Sequence, residues 1–407
     1  MRRVYLDNNA TTPVLPEVLE AMRPYFDEHF GNASSIHHHG QETRAAVERA
    51  RESVAALLGC RASEVVFTSG GTEADNLAIF GLASAGDHVI TSAIEHHAVL
   101  NACKHLDKCR DKYLDTAGCE VTHLPVDSRG LVDPADVKRA IRPNTRLITI
   151  MFANNETGVV QPVAEIGKIA AEADIYFHTD AVQAAGKVPI DVSKIGCDLL
   201  TVSGHKFHAS QGVGALYVRK GTLLAPMLYG GSHERSRRAG TENVPGIVGL
   251  GKAAELASAG LQRDADQKMA AARDRLEREL LKIEATGLNG EGAPRVPNTT
   301  NIYFDGIEGE ALVIALDLKG LAVSTGAACS SGAIEPSHVL TAMSLRPDRA
   351  KASIRFSLGK QNTEEDVDFA LEVVPKTVAR LRELSPVYNK AASSELRATT
   401  NQRGARP

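Results

Sequence analysis

A chain of 407 residues, 43% hydrophobic and 24% charged, is long enough to bury a large core and reads as about two domains. A formal net charge of −4 argues against a general binder of nucleic acid or of a membrane surface, because such proteins carry a basic excess or patch. No run approaches the roughly 18 apolar residues that span a bilayer, and Met-Arg-Arg passes straight into Val-Tyr-Leu-Asp without a secretory apolar stretch, so a cytoplasmic protein is expected.

Along the chain, His37-His38-His39 is the first cluster that could suggest a metal. Successive side chains leave any regular backbone in different directions, so the run reads as a loop or helix entry and no metal site is expected. Six cysteines, at 60, 103, 109, 119, 197 and 329, show no Cys-x-x-Cys spacing and read as reduced thiols. From Glu64 to Val218, strand-like runs alternate with helical patterns: Val65-Val-Phe, Val89-Ile, Val121, Leu147-Ile-Thr-Ile-Met, Ile175-Tyr-Phe, Leu199-Leu-Thr-Val and Ala215-Leu-Tyr-Val. This predicts an α/β fold with a mainly parallel sheet covered by helices on both faces. Beyond about Gly251 the pattern turns helical, and the charge-laced Gln262 to Glu284 reads as a solvated connecting helix. A smaller α+β unit follows, with strands near Asn301-Ile-Tyr-Phe and Ser353-Ile-Arg-Phe. The expected division is a large domain over 15–255, a small domain from 1–14 and 256–385, and a disordered polar tail over 388–407.

The chemistry concentrates at the ends of the expected strands. Phe67-Thr-Ser-Gly-Gly-Thr-Glu-Ala-Asp-Asn76 places glycines between a strand and a helix start, where backbone N–H groups and the Thr72 hydroxyl can surround a phosphate. In Ala93-Ile-Glu-His-His-Ala98 an imidazole follows a strand and could stack on a flat ring. Ile175 to Thr179 puts Asp180 at a strand's carboxyl end, where ligands sit in open α/β sheets. Leu199 to Ser203 delivers Ser203, His205 and Lys206 to the same edge if the two strands are neighbours. A lysine there can condense with an aldehyde cofactor, and a buried aspartate can keep a pyridine nitrogen protonated. The motif offers no other nearby lysine. Cys329 lies in Ser324-Thr-Gly-Ala-Ala-Cys-Ser-Ser-Gly332, small residues that suit an exposed mobile loop. Arg355, on a late strand, can take a carboxylate bidentately, with a structural salt bridge as the competing explanation.

His178-Thr-Asp-Ala-Val-Gln183 and Ser203-Gly-His-Lys206 resemble the NifS/IscS-type cysteine desulfurases, of the class V aminotransferase group of fold-type I pyridoxal-phosphate enzymes. The resemblance runs from Tyr5-Leu-Asp-Asn-Asn-Ala-Thr-Thr-Pro13 to Ile354-Arg-Phe-Ser-Leu-Gly359. It implies pyridoxal 5'-phosphate as cofactor, with Gly71, Thr72, Ser203 and His205 at the phosphate. Asn155 and Gln183 would contact the phenolic side, His96 would stack on the ring and serve as a candidate acid–base, and Asp180 would meet the ring nitrogen. Thr241, in Arg238-Ala-Gly-Thr-Glu-Asn243, would reach the phosphate of a neighbouring subunit, which implies a homodimer. Asn155 and Arg355 would bind substrate.

The implied reaction converts L-cysteine to L-alanine, with Lys206 moving the α-proton and Cys329 taking the sulfur as a persulfide. The acceptor would be an iron–sulfur scaffold, a tRNA-thiolation enzyme or a general sulfur carrier. Another class V enzyme, an aminotransferase or a selenocysteine lyase, would keep Lys206 and Asp180 without requiring the cysteine loop; against a cofactor-containing regulatory or scaffold subunit that has lost catalysis stands the retention of Lys206, Asp180, Gln183, His96 and Cys329. Two stretches depart from the family: a longer segment between Cys103 and Val121, and the tail after Tyr388.

Overall fold

The computed structural model describes residues 2–108, 118–262, 265–326, 336–385 and 388. Its strands in chain order are β1 (Val4–Tyr5), β2 (Val65–Thr68), β3 (His88–Ser92), β4 (Glu120–Leu124), β5 (Thr145–Thr149) and β6 (Tyr176–Asp180). Then come β7 (Leu199–Ser203), β8 (Gly214–Val218), β9 (Thr286–Leu288), β10 (Thr299–Phe304), β11 (Leu321–Ala322) and β12 (Ser353–Ser357). The seven central strands form one sheet in the order β2-β8-β7-β6-β5-β3-β4, and β8 alone runs antiparallel to its neighbours. All seven expected runs of the Glu64–Val218 region are strands of this sheet.

Each face of the sheet carries its own apolar layer, which is why β2, β3, β7 and β8 are buried along their whole length. Val65, Phe67, Ile90, Ile148, Phe177, Leu200 and Val202 project into one layer under the helices His38–Leu58 and Val244–Gln262. Val66, Val89, Leu147, Leu199 and Leu216 project into the other, under Gly71–Phe80 and His97–Lys108. The two helices of the first layer touch backbone to backbone: a Cβ on Gly251 would come within 2.5 Å of Ala50 Cα, so no larger residue fits.

A second core gathers Leu6, Ile302, Phe304, Leu312, Ile354 and Phe356 around the antiparallel sheet β12-β10-β9. The helix Ala265–Leu280 contributes Leu276 and Leu280 to this core, both fully buried. The Gln262–Glu284 stretch is therefore not the solvated connector its charge suggests; apolar residues spaced by a turn bury one face while the charges occupy the other. Near the amino terminus, β1 pairs in parallel with β11, and Asp7 bridges Ser357, which lays residues 4–12 across the gap between the two cores. His37 caps the helix His38–Leu58 through its side chain, the helix-entry role expected for the histidine run. Cys109 and most of the 104–119 stretch lie outside the described residues, as do Cys329 and residues 389–407. Among the described residues, no helix is long and apolar enough to cross a membrane.

Candidate active site

The carboxyl edge of the seven-stranded sheet gathers the chemistry. β6 and β7 are parallel neighbours with Asp180 opposite Thr201, so Asp180 and Ser203 end adjacent strands. A single helical turn, Gly204–Lys206, then sets His205 and Lys206 at that edge. The loop after β2 opens the helix Gly71–Phe80, and the segment after β3 carries Glu95 and His96 into the helix His97–Lys108. These elements enclose a cavity of about 400 Å3. Gly71, Thr72, His96, Asn155, Asp180 and Gln183 line it, and so do Ser203, His205, Lys206 and Arg355. Gly71 is fixed by sterics, since a Cβ there would stand 2.9 Å from Val182 Cγ2.

Burial tunes the ionisable groups. Lys206 is lowered to about 8, chiefly by desolvation and then by the Arg355 cation, while Asp180 and Asp7 oppose the shift. Its Nζ donates to the carbonyls of Asn9 and Ala10, each at 2.7 Å. Asp180 is raised to about 6 by desolvation, against the Val182 N–H that donates to its Oδ1 at 2.9 Å and the positive Lys206. His96 falls to about 4 through burial and the charge of Lys206, so its imidazole is neutral. Ala98 N donates to its Nδ1 at 3.1 Å, which leaves the ring proton on Nε2. His205 also falls to about 4, again through burial and Lys206, and its Nδ1 lies 3.2 Å from Thr11 Oγ1.

Asp75 and Glu95 form a carboxylate layer that the sequence reading missed. Both are fully buried; Asp75 also lines the cavity, with Thr201 and His178 beside its carboxylate. Burial and the neighbouring Asp180 and Glu95 push Asp75 well above the usual carboxylate range, and burial takes Glu95 to about 8. The helix starting at Gly71 puts residue 75 one turn in and on the same face, a signal the periodicity carried. The first residues were missed too. Asn9 Nδ2 donates to Asn155 O at 3.1 Å and to Thr299 Oγ1 at 2.8 Å, and Asn9 O accepts from Gln183 Nε2 at 3.0 Å. Nor is Lys206 the one lysine at hand, as the motif had suggested: Lys187 Nζ donates to Asn9 Oδ1 at 3.1 Å.

Three expected residues stand differently from the rest. Arg355 is buried in an ion pair with Asp7 at 2.6 Å and donates to Asn155 O at 2.9 Å, while its Nε has no partner. Thr241 is exposed and does not line the cavity; Arg238, three residues earlier, pairs with Glu73 at 2.8 Å beside Thr72. Cys329 lies outside the described residues, which break off at Gly326, a residue of the cavity wall. Of the other thiols, Cys60, Cys103 and Cys197 are each pushed up to about 12 by burial, which keeps them protonated and inert.

The family model for class V aminotransferases matches residues 4–369. A cysteine desulfurase IscS of Methanosarcina thermophila is 54% identical over 393 residues, covering 96% of this chain and 95% of that protein. A cysteine desulfurase of Nostoc sp. (strain PCC 7120) is 52% identical over 396 residues, covering 96% and 97%. Among solved structures, a NifS-like protein superposes with a TM-score of 0.84 at 38% identity, covering 93% of this chain and all of that one. SspA in complex with cysteine superposes with a TM-score of 0.76, also at 38% identity, over 87% of this chain and 98% of that one. With a sheet edge, a lysine and an aspartate arranged as above, the chain belongs to the class V aminotransferases and, within them, to the NifS/IscS-type cysteine desulfurases.

Proposed function

We propose that the protein uses pyridoxal 5'-phosphate to convert L-cysteine to L-alanine and takes the sulfur as a persulfide on Cys329. The observation that carries this reading is the convergence of Lys206, Asp180 and His96 in one cavity whose wall includes Gly326, three residues before Cys329. Three residues span at most about 10 Å, so the length of the chain lets Cys329 reach the site.

The residues present fit the cofactor. The amino end of Gly71–Phe80, with the Thr72 and Ser203 hydroxyls and the His205 ring, suits a phosphate. Asp180, raised by burial, gains a favourable partner in a protonated ring nitrogen. Bound there, pyridoxal phosphate supplies an electron sink that acidifies the substrate Cα–H and weakens the bond to sulfur. Lys206, lowered to about 8, has a substantial neutral fraction at physiological pH and can take the α-proton. Arg355 receives the substrate carboxylate in place of Asp7, and its unpartnered Nε offers a further donor. His96 would cover the ring, with its proton on Nε2. The Cys329 thiolate attacks the substrate sulfur; an S–S bond forms, the C–S bond breaks, and its electron pair passes to carbon, which is then protonated to alanine.

The same reading carries a homodimer in which Thr241 serves the neighbouring site, a cytoplasmic location, and an iron–sulfur scaffold or other sulfur acceptor. It also divides the chain into a large domain over 15–255 and a small one from 1–14 and 256–385. Cys329→Ser tests it: cofactor uptake persists while alanine release falls by at least about a hundredfold. Mass spectrometry after cysteine treatment finds one added sulfur on the Cys329 peptide. Alanine release at the parent rate by Cys329→Ser overturns the assignment.

A further inference from the structure

Lys187 is a buried lysine that the proposed reaction does not use. Among the described residues it has no carboxylate partner, and burial together with the charges of Lys206 and Arg355 pushes it well below the usual lysine range. Burying an amine in this way is costly unless its hydrogen bonds are well placed. Its Nζ donates to Gln183 Oε1 at 2.7 Å and to Asn9 Oδ1 at 3.1 Å. Lys187 does not line the cofactor cavity; it lines a neighbouring one of about 450 Å3 and so reaches Gln183 from behind.

Both bonds end on amide oxygens, and that settles which way each amide faces. An amide's two ends are nearly identical in shape, so only its hydrogen-bond partners fix its orientation. With its oxygen taken by Lys187, Gln183 turns its NH2 group the other way, where Nε2 donates to Asn9 O at 3.0 Å. That carbonyl also accepts from Lys206 at 2.7 Å. Asn9 Oδ1 takes a second bond from Asn298 Nδ2 at 3.0 Å, which frees Asn9 Nδ2 for Asn155 O and Thr299 Oγ1. A reversed Gln183 would set its oxygen against the Asn9 carbonyl. The three side chains are one network, in which the Lys187 amine on the amide oxygens and the Asn9 and Asn155 carbonyls on the NH2 groups enforce the same polarity.

We infer that Lys187 is a positioning residue for the cofactor: by occupying the amide oxygens of Gln183 and Asn9, it directs the Gln183 NH2 group to the site and fixes the carbonyl that holds Lys206. This rests on the cofactor reading above. The test is a titration of apo protein with pyridoxal 5'-phosphate, followed by absorbance. Lys187→Met keeps the length and removes the donor, so the dissociation constant should rise about tenfold, the worth of a buried hydrogen bond, and the absorbance band of the bound cofactor should shift. Gln183→Ala should lose affinity alone, and adding Lys187→Met to it should cost less than it does in the parent, because part of the lysine's effect passes through the glutamine and the rest through Asn9. Lys187→Gln, which retains an N–H donor, should lose less than Lys187→Met and serves if the methionine variant fails to fold. Multiplying losses in the double variant, or a folded Lys187→Gln as weak as one with no donor, overturns the inference. A parent protein that takes up no pyridoxal 5'-phosphate overturns the cofactor reading and the inference with it. A parent that binds and a Lys187→Met variant that binds equally well, with the same band, overturn the inference alone.

Discussion

The two walls of the cavity are held by different kinds of bond. Asp180 and Ser203 end adjacent strands, so one wall inherits its geometry from a backbone ladder. The facing wall, with Asn9, Ala10, Ser324, Gly326 and Arg355, reaches the first largely through side chains: Asn9 to Asn155, Arg355 to Asn155, and Lys206 to Asn9 and Ala10. A ladder fixes positions permanently, whereas side-chain bonds can be exchanged for a ligand's. On the proposed function, the group that stays bound meets the ladder wall. The substrate, which comes and goes, meets the other.

The sharpest way to break this division is Lys206→Ala, which should cut cysteine turnover by at least about a thousandfold and abolish the reducible link to cofactor. Borohydride reduction followed by peptide mass spectrometry checks it; attachment at Lys187 instead would show that the facing network can stand in for the ladder wall. Asp180→Ala should lower kcat by about a hundredfold or more without weakening the fold. Its carboxyl is raised from 3.8 to about 6, so between those values the native state holds the extra proton and stability falls as pH rises. At pH 7 the ionised group is a burden, and melting of apo Asp180→Ala should occur no lower than that of the parent.

Arg355→Ala should spare the cofactor band and raise KM by roughly tenfold to a hundredfold, the worth of a charged hydrogen-bonded contact. A lost band would place Arg355 on the cofactor side. The smallest effect is in pH dependence. On the proposed function Lys206 is neutral when it captures the cofactor, so the capture rate of apo protein should climb about tenfold per pH unit until it levels above about 8. Because the Arg355 cation helps lower Lys206, the Arg355→Ala midpoint should move upward; stopped-flow absorbance measures both.

The ladder wall was legible because its signals are local. Five-residue runs such as Leu199–Ser203 announce a buried strand, and the acid and the lysine follow directly in the chain. The facing wall gave no such sign: Asn8 Nδ2 bonds Ser357 O, 349 positions away, and no periodicity links residues so far apart. Lys187 follows a glycine in a turn, which reads as a solvated site until the fold closes over it. Arg355 was read both as a carboxylate binder and as a salt bridge; the ion pair with Asp7 is the second of these, and the first belongs to the proposed function.

The pairing of β1 with β11 also sets an order of events during synthesis. Residues 4–12 leave the ribosome long before residues 321 and 355, so Val4 waits for Leu321 and Asp7 for Arg355. The central sheet, complete by Val218, can condense well before that. The opening segment must therefore stay loose while more than half of the protein is made, then thread back over a formed sheet to place the Asn9 and Ala10 carbonyls on Lys206. Such a late, long-range closure is intrinsically slow. Until it occurs, the nascent enzyme has an amine without its two carbonyl anchors, and a tag fused ahead of Arg3 would be drawn into the last step of maturation.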